Sequence, residues 1–294
     1  MKKKIDVDNF NEALSKFDFQ EITGLRELSL FAGAGGGILG GKLLGWRTVC
    51  AVEIEPFQQE VLLHRQNTGE LDCFPIWDDV STFDGKSWRG IVDVVSGGFP
   101  CQDISIAGEG KGLDGERSGL WKEFSRIIRE VRPKFAFVEN SPLLRRRGLD
   151  RVLRDLDEIG YDAVWTVLGA SDVGAPHKRE RMWILATDRE KSDEIFDSTS
   201  ERLEKIEYET RVSREEMGQT SEGESCGTDC KISNEPDNRE FGNWWSVEPE
   251  LGRMVDGVAD RVDRLRSIGN GQVPIVAATV FSVLYKLSKK FKKR

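Results

Sequence analysis

A thiol and several carboxylates occupy positions from which they could act together. Residues 98–103 read Gly-Phe-Pro-Cys-Gln-Asp, so Cys101 follows the apolar run Ile91 to Ser96 and a Gly97-Gly98 break. A strand that stops at such a break delivers the next residues to the carboxyl edge of a parallel sheet, where open α/β folds bind ligands. A cysteine in a tight Gly/Pro turn packs poorly but can attack an electrophile as its thiolate. The alternative is a small apolar residue of the core. The run Phe135 to Val138 ends in Glu139-Asn140 and reads as a neighbouring strand, which brings a carboxyl group beside the thiol as a proton donor. Glu53 and Asp79 close two further strands in the same way. Acids converging with a thiol on one sheet edge describe a site better than solvated loop acids do.

Gly35-Gly36-Gly37-Ile38-Leu39-Gly40 formally matches a dinucleotide fingerprint, with Glu53 placed to hold a ribose diol. This implies a cofactor containing a nucleoside, although a tight turn with close helix packing demands the same glycines. A nicotinamide dehydrogenase would satisfy the glycines but leaves Pro100-Cys101-Gln102 without a role. The stretch after Cys101 carries Gly108, Gly110, Gly112 and Gly115 with Lys111 and Arg117, which suits either a cationic lid over a polyanion or a surface loop.

These residues need a scaffold, and the pattern supplies one. Strands are expected at 25–31, 48–54, 73–77, 91–96, 135–138, 161–168 and 182–187. Helices are expected at 38–44, from Pro56 through 60–64, at 119–131, at 149–159 and at 275–287. This alternation predicts an α/β fold with a doubly wound, mostly parallel, Rossmann-like sheet. Residues 1–24 read as a polar extension, 25–187 as the catalytic domain, 188–243 as an acid-rich variable insertion and 244–294 as a return to the domain. The chain of 294 residues has a net charge of −8, so phosphate binding would have to come from local clusters such as Arg145-Arg146-Arg147 or His177 to Arg181. The tail Lys286 to Arg294 reads as a solvated face. Five scattered cysteines suggest no disulfide framework, Cys226 and Cys230 lack partners for zinc, and no metal is expected. The N-terminus lacks a signal-peptide core and no run is long enough to span a membrane, so a cytoplasmic setting is expected.

Taken in order, these segments resemble the DNA cytosine-5-methyltransferase family. Leu30-Phe31-Ala32-Gly33-Ala34-Gly35-Gly36 is similar to its cofactor turn, Glu53 to its ribose-binding acid and Asp79-Val80 to its adenine-reading pair. Phe99-Pro100-Cys101-Gln102 is similar to its catalytic motif, Arg117-Ser118-Gly119-Leu120 to the segment opening the next helix, and Glu139-Asn140 to its acidic motif. Lys178-Arg179-Glu180-Arg181 resembles its arginine motif, and Gly269 to Pro274 the C-terminal motif that folds back onto the cofactor site. Ser29, Ser141 and His177 stand where the family usually has Asp, Val and Gln.

The resemblance implies S-adenosyl-L-methionine as cofactor and methylation of C5 in a flipped-out cytosine through a covalent bond between Cys101 and C6. It implies Cys101, Glu139, Arg179 and Arg181 as catalytic residues. The cofactor would be bound by Leu30, Phe31, Ala32, Gly33, Gly35, Gly36, Glu53, Ile54, Asp79, Val80, Pro100, Leu120, Asn270 and Gly271. Double-stranded DNA would be met by Gln102, Ser105, Lys111, Arg117, Arg179 and Arg181, with target recognition in residues 188–243. A monomer is expected, with a cognate restriction endonuclease as a functional, not physical, partner. Two alternatives stand beside this: an RNA (tRNA) cytosine-5 methyltransferase of the same fold, and a non-catalytic DNA-binding relative.

Overall fold

The computed structural model of the chain describes residues 22–100, 119–191 and 271–292. A seven-stranded sheet lies at its centre, in the order β3-β2-β1-β4-β5-β7-β6. The strands are β1 (Arg26–Leu30), β2 (Arg47–Val52), β3 (Ile76–Trp77), β4 (Val94–Gly97), β5 (Phe135–Asn140), β6 (Tyr161–Leu168) and β7 (Arg181–Asp188). β1 to β5 pair in parallel, and β7 enters antiparallel between β5 and β6. This is the mostly parallel, doubly wound α/β sheet that the alternation predicts. The inversion of β7 is additional information, because hydrophobic runs carry no direction. From β1 the order grows one way through β2 and the other way through β4, which opens a crevice at the carboxyl ends of β1 and β4.

Helices cover both faces. They are α1 (Gly36–Leu43), α2 (Pro56–Asn67), α3 (Leu120–Val131), α4 (Leu144–Arg147), α5 (Leu149–Glu158) and α6 (Pro274–Lys292). On one face, Leu28, Leu30, Val95, Ala136 and Val138 of the sheet join α3 and α5 in the main core. Phe124, Ile127, Ile128 and Val131 of α3 are fully buried at helical spacing, each worth about 1.5–3 kcal/mol of apolar burial. On the other face, Phe281 of α6 meets Phe135 and Phe137 edge-on, with ring centroids 5.7 and 5.3 Å apart. Leu62 of α2 packs there with Ile38 and Ala51.

The sequence of α1, GGILGGKL, is a poor helix former, since each glycine costs about 1 kcal/mol relative to alanine. Packing explains it: a β-carbon at Gly40 would stand 2.9 Å from both Ala277 Cβ and the Pro274 carbonyl. The glycines let α6 and the chain leading into it lie directly on α1. The third strand is shorter than expected, with only Ile76 and Trp77 paired, because Pro75 has no N–H for a ladder. α6 continues to Lys292 instead of stopping at 287. β7 runs on to Asp188, whose buried carboxylate accepts Arg132 at 2.8 Å. Residues 1–21 of the expected extension and 192–243 of the expected insertion lie outside the described residues.

At the amino edge of the sheet one buried acid is paired twice. Asp93 accepts Arg26 at 2.8 Å and Lys134 at 3.3 Å.

Candidate active site

Strand alternation sets Phe135, Phe137 and Glu139 on the α6 face of β5. Glu139 pairs in register with Trp183, so Arg181 lies diagonally on the same face. Arg181 Nε is 3.0 Å from Glu139 Oε1. Glu139 is 8% exposed. Burial pushes its carboxyl up to about 7, against the opposing pull of Arg181 and Arg179. A carboxyl that changes form near neutrality can both give and take a proton.

The end of β4 is shaped around this group. A β-carbon at Gly98 would stand 2.5 Å from Glu139 Oε2, so only glycine lets the carboxyl lie against the turn. Gly97, at φ 154°, passes so close to β1 that a β-carbon would stand 2.1 Å from the Leu30 carbonyl. Asn140 Nδ2 donates to the Phe99 carbonyl at 3.1 Å and fastens the exit of β4 to β5. Pro100 borders the resulting cavity. Cys101, bonded to Pro100, lies outside the described residues, as do Gln102, Ser105, Lys111, Arg117, Asn270 and the glycine-rich stretch between them.

Arg179 adopts a left-handed backbone, φ 34°, which is strained for a non-glycine residue. Its guanidinium donates to the Gly271 carbonyl and so ties the arginine segment to the C-terminal return. Burial, with Arg181 nearby, draws its pKa below the ordinary arginine value. Phe31 at the end of β1 is also left-handed, φ 52°. Of these two strained residues, Phe31 borders the cavity.

The cavity measures about 930 Å³ and lies over the carboxyl ends of the central strands, a size that suits a nucleoside-bearing ligand. Phe31, Ala32, Gly33, Glu53, Ile54, Asp79, Val80, Pro100, Leu120 and Gly271 border it, together with Glu139 and Arg181. Glu53 accepts the Gly33 N–H at 2.6 Å through one oxygen and the Glu55 N–H at 2.9 Å through the other. Burial raises its pKa and those backbone donors lower it, with a net rise. Ile54 is apolar yet 63% exposed, a free surface for a flat ring. Asp79 Oδ1 accepts the Ser81 N–H at 2.8 Å, which fixes the turn below Val80.

Three expected cofactor residues do not border the cavity. Leu30 is fully buried in the core. Gly35 makes the left-handed turn into α1, φ 85°. Gly36 lies beneath the C-terminal segment, where a β-carbon would stand 2.3 Å from the Gln272 carbonyl. The glycine pattern thus serves a contact within the protein at the place where a dinucleotide fold would bring pyrophosphate.

Gln272, in the Gly269 to Pro274 segment that the resemblance brings to the cofactor site but not among the expected site residues, also borders the cavity. Its Oε1 lies 2.7 Å from the β-carbon position of Gly37 and its Nε2 lies 3.6 Å from that of Gly98. Its carboxamide therefore stands between the cofactor turn and the turn beneath Glu139. The only signal was its place next to Gly-Asn-Gly, since the contacts join positions far apart in sequence.

The profile of the family C-5 cytosine-specific DNA methylase matches residues 25–280. The Type II methyltransferase M.CviJI of Paramecium bursaria Chlorella virus IL3A is 37% identical over 163 residues, covering 55% of this chain and 42% of that protein. M.Eco47II of Escherichia coli is 35% identical over 205 residues, covering 66% and 48%. M.HhaI of Haemophilus parahaemolyticus is 34% identical over 170 residues, covering 56% and 50%. The matched region spans about half the length of these curated relatives. The chain belongs to the C-5 cytosine-specific DNA methylase family.

Proposed function

We propose that the protein methylates C5 of cytosine in double-stranded DNA with S-adenosyl-L-methionine, through a covalent bond between Cys101 and C6. The observation that carries this is the Glu139 corner: a buried carboxyl held by Arg181 at 3.0 Å, with a pKa near 7, on the strand beside the one that leads to Cys101. The nucleoside-sized cavity beside it, with Glu53, Ile54 and Asp79 on its border, fits the cofactor. A cover of protein over Gly36 supports a single nucleoside over a dinucleotide.

S-adenosylmethionine, when bound, supplies an electrophilic methyl group on sulfur and departs as the neutral thioether. The chain's residues make the poorly nucleophilic C5 able to accept it. The Cys101 thiolate bonds to C6, the ring electrons shift toward N3, and Glu139 donates its proton there. C5 then forms its bond to the methyl carbon. A water takes the C5 proton, the C5–C6 double bond re-forms, and the C6–S electrons return to Cys101. The N3 proton returns to Glu139. Arg181 orients the carboxyl, and Arg179 and Arg181 hold the cytosine. The target base must leave the duplex stack, at a cost of a few kcal/mol, approximately. Gln102, Ser105, Lys111 and Arg117 belong to the same reading as DNA contacts, Asn270 as a cofactor contact, and a cytoplasmic monomer as its setting.

The test is transfer of tritiated methyl groups to DNA and, in parallel, to tRNA. Wild type is expected to label DNA, and Cys101→Ala to label nothing while still binding S-adenosylmethionine. DNA carrying 5-fluorocytosine is expected to become covalently attached at residue 101. Turnover by Cys101→Ala, or labelling of tRNA alone, overturns the reading.

A further inference from the structure

We propose that the arginine turn Arg145-Arg146-Arg147 is a phosphate-contacting surface that holds the backbone of double-stranded DNA beside the catalytic corner. This rests on the DNA-methylation reading above and assigns that site a docking surface of its own. Ser141, two residues after Glu139, borders the cavity, and its carbonyl accepts the Leu144 N–H at 3.0 Å to start α4. The arginines therefore follow directly from the carboxyl end of β5, on the edge where the cavity opens.

The turn is fixed in place by its flanks. Leu144 is fully buried and Leu149 is 7% exposed, both in the main core. With these two anchored inward, Arg145 and Arg146 point into solvent. Neither guanidinium has an ion-pair or hydrogen-bond partner among the described residues. At the amino edge, by contrast, Arg26 is engaged at 2.8 Å by Asp93. Two solvated guanidinium groups need not be separated from a carboxylate before they meet phosphate.

Local charge points the same way. Residues 144–154 contain five arginines and one aspartate in a chain of net charge −8. The next acid, Asp155, accepts Trp121 Nε1 at 2.7 Å and pairs with Arg151 at 3.7 Å, which leaves Arg145 and Arg146 uncompensated by it. A local positive surface on a negative protein steers a polyanion to one face instead of binding it everywhere.

The experiment is a fluorescence-anisotropy titration of a mixed-sequence DNA duplex across a range of salt concentrations. It uses wild type, R145Q/R146Q, R145K/R146K and the control R47Q/R129Q, which removes the same charge from exposed positions at the amino edge. Each neutralised phosphate adds about 0.9 to the slope of log affinity against log salt. R145Q/R146Q is expected to lower that slope by about 1.8, with weaker binding at low salt. S-adenosylmethionine binding and melting temperature should be retained. The lysine variant should keep the slope, and the amino-edge control should match wild type. If R145Q/R146Q keeps the wild-type slope, or the control loses as much, the surface assignment is overturned even where wild type methylates DNA. If wild type neither binds nor methylates DNA, the functional reading itself has failed and the surface falls with it.

Discussion

Two buried glutamates in one sheet carry the same perturbation and put it to different use. Glu27 in β1 is 1% exposed and Glu139 at the end of β5 is 8% exposed. Burial pushes both carboxyls up to about 7. Glu27 is enclosed by neutral donors: Ser96 Oγ reaches one oxygen at 2.6 Å and Thr48 Oγ1 the other at 2.8 Å. Glu139 instead meets guanidinium groups and a cavity large enough for a ligand. A shifted carboxyl therefore marks a reactive site only when it also faces something that can react. Both shifts bear on stability, and in Glu139 the shift bears on proton transfer as well.

The largest expected effect separates the two directly. Glu139→Gln removes the proton that N3 receives, and a positioned general acid is worth about 10²–10⁴ in rate. We expect kcat to fall by about 10³, with S-adenosylmethionine affinity retained. Wild-type single-turnover methyl transfer should also decline as pH rises through about 7, when Glu139 loses its proton. That limb should vanish in the variant. Equal losses of cofactor binding and turnover would move Glu139 from chemistry to binding.

For Glu27 the consequence is pH-dependent stability. The folded protein keeps this carboxyl protonated up to about 7, whereas the unfolded chain releases the proton near the ordinary value of 4.5. Between those limits the folded state holds more protons, so the contribution is full below 4.5 and is lost as pH rises through 7. The swing is about 3 kcal/mol. Glu27→Gln mimics the protonated form and should remove it. Urea denaturation of both proteins at acidic and at mildly alkaline pH should show wild type losing stability relative to the variant by about that amount. A gap between them that does not change with pH would break the comparison.

Much of this was legible in the sequence, and the illegible part has a common cause. The apolar runs placed the strands because a strand needs only local alternation and a boundary. Glu139 was legible because a strand end needs only its neighbours. Its partnership with Arg181 was not, because it depends on β7 running backwards into the gap between β5 and β6. The contacts of Gln272 were not legible for the same reason: it reaches the Gly37 and Gly98 turns only through the tertiary path of the C-terminal return. The glycines of α1 were legible, but a ligand and close helix packing ask for the same residues, and only the fold shows that Gly36 and Gly40 receive protein atoms. Glu27 gave no signal, since a glutamate in Leu25-Arg26-Glu27-Leu28 reads as an ordinary polar position until Thr48 and Ser96 close over it.

The smallest expected effects come from two glycines, one against each carboxyl, and they test whether the division of roles holds. A β-carbon at Gly98 would stand 2.5 Å from Glu139 Oε2. Arg181 grips the other oxygen, so the carboxyl must rotate out of line to make room. A displacement near 1 Å at a catalytic group costs about 100-fold in rate. Gly98→Ala should therefore lose about 100-fold in kcat with little change in melting temperature. At Gly41 a β-carbon would stand 3.1 Å from Glu27 Oε2 and 2.8 Å from the Trp46 ring. Gly41→Ala should cost about 1–3 kcal/mol of stability by overpacking and leave kcat nearly intact. The pair is read by melting and by methyl transfer on the same preparations. If both variants lose stability and turnover together, the two carboxyls belong to one mechanical unit, and the distinction between the enclosed glutamate and the open one does not stand.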